Sequence, residues 1–253
     1  MLTRVIKIGG RVQSDARLPQ AIAGAWKATN GALCIVHGGG DEISALQRVI
    51  GQEPQFIGGR RVTTEADLDI IRMALSGSSN KRLVATLLDA GVPAIGISGE
   101  DGALITATPI DLERFGHVGA PSAIRTSLLR ALLREGYLPV ISPVARSAVN
   151  GAPLNVNGDD AAAAIASALS AADLLFLADV PGVLDRDVPL ASIDAEMAHL
   201  LIADGRATGG MAAKLTSALR AAELGVPSVR IGDLDAIASL ESGTTITLAT
   251  SLA

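Results

Sequence analysis

The feature that most constrains this chain is a rhythm. Short, nearly continuous apolar runs alternate with longer amphipathic stretches rich in Ala and Leu. Strand-like runs fall at residues 2–8, 32–37, 93–98, 138–142, 173–178, 227–231 and 245–248. Helix-like stretches lie near residues 18–29, 40–50, 65–90, 125–135, 159–169, 194–204 and 210–224. A strand that is apolar on both faces has to be covered on both faces. Strand and helix in alternation give parallel strands joined by helical crossovers. The expected fold is therefore α/β, a three-layer αβα sandwich around a mainly parallel central sheet. The 253 residues suffice for one large unit, and no linker or low-complexity stretch divides them. Two lobes sharing the sheet are expected, residues 1–172 and 173–253, although composition barely marks the boundary.

Two segments break the rhythm. Residues 105–117 and 145–155 read as hairpin-like excursions, the second marked by Asn150-Gly151, a type I′ turn signal.

Only five residues are aromatic, so the core has to be built from Val, Ile and Leu strands with Ala-rich helices packed closely on them. The net charge of −5, with no basic block, argues against nucleic acid as a partner but leaves phosphorylated small molecules open. The single cysteine, Cys34, allows no intramolecular disulfide and no cysteine-built metal site. Its apolar neighbours make it a small buried hydrophobe rather than a nucleophile. There is no signal segment and no run of about 18 apolar residues, so a cytoplasmic protein without membrane contact is expected.

Four lysines stand among seventeen arginines, and two of the four, Lys7 and Lys214, lie in glycine-rich segments. An ammonium is a compact point charge and a guanidinium a broad planar fork. Lysine beside glycine therefore points to a crowded anion such as a phosphate. The alternative leaves Lys7 capping an edge strand and Lys214 on a solvated helix face.

Four further segments could carry chemistry. In Ile-Val-His37-Gly38-Gly39-Gly40-Asp41 a strand runs through glycines into a helix, which favours anion binding over an ordinary tight turn that needs glycine for positive φ. His37 there ends the strand rather than acting as a base. Gly58-Gly59-Arg60-Arg61-Val-Thr63 could clamp a carboxylate, or present a solvated arginine pair. In Asn155-Val-Asn157-Gly158-Asp159-Asp160 the two amides would share one side of an extended segment, and Asp159 or Asp160 sits where a helix cap belongs. Asp179, leaving an apolar strand before Pro181-Gly182, fits either the ligand edge of a parallel sheet or plain turn chemistry. The chain contains no P-loop, no dinucleotide-binding glycine fingerprint and no nucleophile elbow.

Taken together, Lys7-Ile-Gly9-Gly10, His37-Gly-Gly39-Gly40, Gly59-Arg-Arg61-Val-Thr, Gly116-His117-Val-Gly119, Asn155-Val-Asn157-Gly-Asp159 and Gly209-Gly210-Met-Ala-Ala-Lys214 resemble, in order, the signatures of the amino acid kinase family. The match is closest to its branch acting on N-acetyl-L-glutamate. The resemblance implies transfer of the γ-phosphoryl group of ATP to the substrate's side-chain carboxylate, with Mg²⁺ carried by ATP rather than by the protein. By the family pattern Lys7 and Lys214 flank the transferring group, and Asp159 holds both ammoniums. Gly39, Gly40, Arg61 and Asn155 would bind the acyl amino acid. Gly9, Gly10, Asp179, Gly209 and Gly210 would serve the phosphates and nucleotide.

The chain departs from the pattern at Gly158, where many relatives have Ala, and at Asp160, which leaves open which aspartate organises the lysines. Arg60, often apolar in relatives, reads as a surface residue. No counterpart of the ring-forming N-terminal helix precedes Lys7, so the resemblance implies a homodimer rather than a hexamer, with little arginine feedback. A carrier-linked α-aminoadipate kinase and a non-catalytic metabolite-binding module are the alternatives.

Overall fold

The computed structural model describes residues 3–248. Its central sheet has eight strands, in the spatial order Ser192–Ile193, Thr244–Ile246, Val229–Gly232, Asp173–Leu177, Arg4–Ile8, Leu33–His37, Leu138–Ser142 and Ala94–Ser98. Neighbours run parallel except Val229–Gly232 against Thr244–Ile246. The expected α/β architecture is borne out. The strand runs starting at residue 2 and at residue 245 are shorter than expected, and residue 2 lies outside the described residues.

Alternation along the strands decides which face each side chain meets. Val5, Cys34, Leu174 and Phe176 pack on one face against Ala161, Ile165, Leu215 and Ala218 of helices Gly158–Leu169 and Gly209–Glu223. Ile6, Ile8, Ile35 and Leu177 pack on the other with Leu18, Ile22 and Leu87. Cys34 is fully buried, and burial pushes its thiol up to about 12, so it is inert. Lys7 has the parity of Val5, which aims it at the first pair of helices. It lies in the middle of the sheet, beside Val36 and Phe176, and not on an edge strand.

Chain order reverses about Arg4–Ile8, with Leu33–His37 on one side and Asp173–Leu177 on the other. The three strands end level, Ile8 beside His37 and Leu177. Their carboxyl ends open into Gly9-Gly10, Gly38–Gly40 and Ala178-Asp179. A topological switch point of this kind leaves a crevice at the sheet edge.

Three local expectations are corrected. Strands Ile105–Pro109, Val118–Ile124, Val144–Ser147 and Pro153–Val156 close into a small barrel, so the first excursion runs past residue 117 and includes the short helix Leu112–Phe115. Asn150-Gly151 is not a type I′ turn. Gly151 has φ +72° but Asn150 has no positive φ, and Ser147 closes a longer loop by bonding Ala152. Two-residue turns with positive φ at both positions occur instead at Gly58-Gly59, which joins Phe56–Ile57 to Arg60–Arg61, and at Arg186-Asp187, which joins Leu184–Asp185 to Val188–Pro189. The long helix expected over residues 65–90 is continuous but changes pitch: Glu65–Ile71, then π-helical Arg72–Ser79, then Asn80–Asp89. The widened turns set Leu75 and Ser79 against Gly39.

Candidate active site

Lys7, Asp159 and Lys214 converge at the crevice. Lys7 Nζ lies 2.7 Å from Asp159 Oδ1, and Lys214 Nζ lies 3.4 Å from the same oxygen. Asp159 is delivered by the first turn of helix Gly158–Leu169. That helix is capped by Asn157, whose side chain accepts hydrogen bonds from the backbone of Asp159 at 2.7 Å and Asp160 at 3.3 Å. The cap is therefore Asn157 and neither aspartate, which frees both carboxylates for other partners. Burial pushes the Asp159 carboxyl up, but the Lys7 and Lys214 ammoniums outweigh it and hold the group below the usual carboxylate range. Lys214 is pulled down to about 8, first by burial and then by repulsion from Lys7, with Asp159 opposing.

Two clefts meet at this triad. The smaller, about 190 Å³, is lined by Lys7, Gly38 to Gly40, Arg60, Arg61, Asn155, Asn157 and Asp159 among others. The larger, about 490 Å³, is lined by Gly9, Gly10, Arg11, Asp41, Asp179, Gly210, Met211 and Lys214 among others. Gly40 belongs to both walls. The glycine triplet needs no positive φ here. Its value is room at the middle position: a Cβ at Gly39 would sit 2.8 Å from Leu75 Cδ1. Helices Gly40–Val49 and Gly209–Glu223 both begin at the crevice without a side-chain cap, so their amino-terminal N–H groups and dipoles favour an anion between them.

Arg61 is buried and pre-positioned. It donates to Gly40 O and Ser44 Oγ at 2.8 Å each and to Gln47 Oε1, and stacks 4.6 Å from the Phe56 ring centroid. Gln47 is held in turn by Asp67 at 2.6 Å. Asn155 Nδ2 donates to Thr63 Oγ1 at 3.0 Å, and Thr63 donates to Arg61 O at 3.1 Å, so clamp and amide form one network. His37 is buried; its Nδ1 lies 2.9 Å from Gly38 O and its Nε2 3.0 Å from Asn80 Nδ2, and burial pulls it down to about 4. It is neutral and structural.

The amino acid kinase family model matches residues 3–233. The chain belongs to the amino acid kinase family. It is 43% identical over 231 residues to an acetylglutamate kinase of Geobacillus stearothermophilus, covering 90% of this chain and 89% of that one. It is 41% identical over 246 residues to an acetylglutamate kinase of a Roseiflexus species, covering 96% and 93%. Among solved structures, smu.665 from Streptococcus mutans superposes with a TM-score of 0.87 at 31% identity, covering 97% of this chain and 98% of that one.

In this amino acid kinase the expected site residues are gathered at the crevice with one exception. Gly209 turns the chain into its helix with φ +51° and faces the Gly58-Gly59 turn instead of lining either cleft. Asp179 lies on the wall of the larger cleft, 3.2 Å from Arg11. The one-residue ambiguity is resolved: Asp159 meets the lysines, while Asp160 meets Arg60 Nη2 at 2.7 Å and Ser217 Oγ at 2.9 Å. Arg60 is therefore half-buried and turned inward rather than a free surface residue, and the two arginines do not act as a single clamp. Gln47, Ser44, Asp67 and Gln13, whose amide bonds Gly38 O at 2.6 Å, escaped sequence reading. Asp67 carries a local mark only as the acid of the Thr64–Asp67 capping box, and the site contacts of all four are to partners distant in sequence.

Proposed function

We propose that this chain phosphorylates the side-chain carboxylate of N-acetyl-L-glutamate from ATP, forming an acyl phosphate. One observation carries the reading. A small cleft walled by Arg61 and Asn155 and a larger glycine-lined cleft meet at two ammoniums that share one carboxylate.

A carboxylate with a pKa of about 4.3 is ionised at neutral pH and needs no general base. The obstacle is the approach of one anion to another, so positioning and charge neutralisation supply the catalysis. Arg61 and Asn155 hold the acceptor's α-carboxylate and neighbouring polar groups in the small cleft. Lys7, shared between the acceptor and the transferring group, screens their repulsion. Lys214 balances the charge developing on the nucleotide side. Asp159 keeps both ammoniums charged and aimed. Gly10, Gly39 and Gly40 present backbone N–H groups to the oxygens between the clefts.

Among the described residues no group of three or more His, Cys, Asp or Glu could hold a metal ion. Mg²⁺ would arrive on the ATP phosphates and withdraw charge from them, with Asp41 and Asp179 as the carboxylates of that cleft. Residues 1–172 then form the acceptor lobe and 173–253 the nucleotide lobe of a homodimer. Among the described residues no helix is long and apolar enough to cross a membrane.

The test is an ATP-coupled assay with hydroxylamine trapping, run with N-acetyl-L-glutamate and carrier-linked α-aminoadipate side by side. Acyl hydroxamate from acetylglutamate supports the reading, and its absence defeats it. The aminoadipate alternative is not favoured, since the relatives named above are acetylglutamate kinases. Light scattering of the purified protein decides between dimer and hexamer.

A further inference from the structure

We propose that Arg60 and Asp160 are positioning residues, an ionic latch that closes the hairpin of residues 56–61 over the small cleft and ties it to the two helices carrying Asp159 and Lys214. The proposal rests on the acceptor role assigned to that cleft.

The contacts run in one line. Arg60 Nη2 reaches Asp160 Oδ2 at 2.7 Å, and Asp160 Oδ1 accepts from Ser217 Oγ at 2.9 Å. Each member sits next to a residue of the reacting site. Arg60 precedes Arg61, Asp160 follows Asp159, and Ser217 lies one helical turn beyond Lys214. Asp160 and Ser217 are buried, so the line crosses the interior between the acceptor clamp and the lysine-bearing helix. At the tip of the hairpin a Cβ on Gly59 would stand 3.6 Å from Ala213 Cβ, so the turn already rests on the start of that helix. When the latch is shut, Arg61, Asp159 and Lys214 are in register.

Beyond the ties of Arg61, the hairpin is a weak anchor. Its strands are two residues long, Phe56–Ile57 and Arg60–Arg61, and Phe56 is 54% exposed. A two-stranded hairpin of this size does not hold its place without side-chain ties. The latch is also imperfect. Arg60 Nη1 and Asp160 Oδ2 are buried without an aligned hydrogen bond, so the pair is close by distance but incompletely satisfied. Desolvation then offsets much of the Coulombic gain. A closure near break-even is one that can open to release product, whereas a fully satisfied pair would be a permanent staple.

Hydrogen exchange of residues 56–62 in the ligand-free protein, read beside steady-state kinetics, tests the latch in Arg60→Leu, Asp160→Gln and the double variant. We expect each single change to speed exchange of this segment about fivefold or more and to raise KM for N-acetyl-L-glutamate about tenfold, with KM for ATP moving less than about twofold. The double variant should be no worse than the worse single, because the two side chains act as one unit. Arg60→Lys, which keeps the charge, should recover part of the lost KM. Unchanged segment exchange in the single variants, equal shifts in both KM values, or additive effects in the double would overturn the latch. Should Asp160→Gln fail to fold, the Arg60→Leu and Arg60→Lys pair still decides through exchange and KM. Absence of acetylglutamate turnover by the wild type would defeat the function reading alone, and the exchange measurement would still judge the latch.

Discussion

Lys7 and Lys214 point their ammoniums at a single atom, Asp159 Oδ1, from 2.7 and 3.4 Å. One buried and one largely buried cation share one counter-ion, which leaves a surplus positive charge at the junction of the clefts. Such an arrangement is incomplete until an anion enters.

Asp159→Asn removes the shared counter-ion and leaves the ammoniums facing each other. We expect turnover to fall by about 10²–10³ or more, the scale of losing a key electrostatic group. Stability should drop by about 3 kcal/mol, as for breaking a buried pair. Hydroxamate formation and urea denaturation measure the two effects.

Lys214 has a folded pKa of about 8 against 10.5 for an ordinary lysine. Between these values the unfolded chain binds more protons than the folded one, so Lys214 contributes a rise in stability with pH across that window. Below pH 8 its buried ammonium is a full cost. Lys214→Met should therefore melt higher at pH 7, by roughly 1–3 kcal/mol of added stability, while losing nearly all activity. Calorimetry with and without substrates checks the sign.

In the wild type, kcat/KM should decline as pH rises through about 8, when free Lys214 loses its charge. No limb from His37 should appear near pH 6.5, since that ring is pulled down to about 4. A pH–rate profile from 5.5 to 9.5 tests both statements.

Lys7→Arg keeps the charge but not the size. Lys7 Nζ sits 2.7 Å from Asp159 Oδ1 on the wall of a cleft of only about 190 Å³, so a broad guanidinium fork would occupy space that the anion needs. We expect kcat to fall by about 10²-fold or more at nearly unchanged folding. Steady-state kinetics beside a melting curve separates the two.

Gly116→Ala acts from a distance. At Gly116, φ is +68°, and a Cβ would meet Thr63 O at 2.2 Å. Relief requires parting the Thr63–Gly116 bridge, which carries the hydroxyl that orients Asn155. The variant should lose about 2 kcal/mol or more of stability and raise KM for N-acetyl-L-glutamate more than KM for ATP. Denaturation and paired KM measurements test it.

Strand-like runs with apolar residues on both faces determined the layered α/β fold, because a period of two or of 3.6 is a local property of the chain. The glycines beside Lys7 and Lys214 likewise pointed to the crevice where both lysines meet Asp159, since close backbone approach requires missing side chains. Tertiary structure decided which groups meet. Whether Asp159 or Asp160 serves the lysines depends on helix phase, where adjacent residues point about 100° apart, and Asn157 sets that phase by capping. Arg60 read as surface because its partner stands a hundred residues away in sequence. The pitch change at Arg72–Ser79 and the Gln47–Arg61 support arise the same way, from packing between segments that carry no local mark of each other.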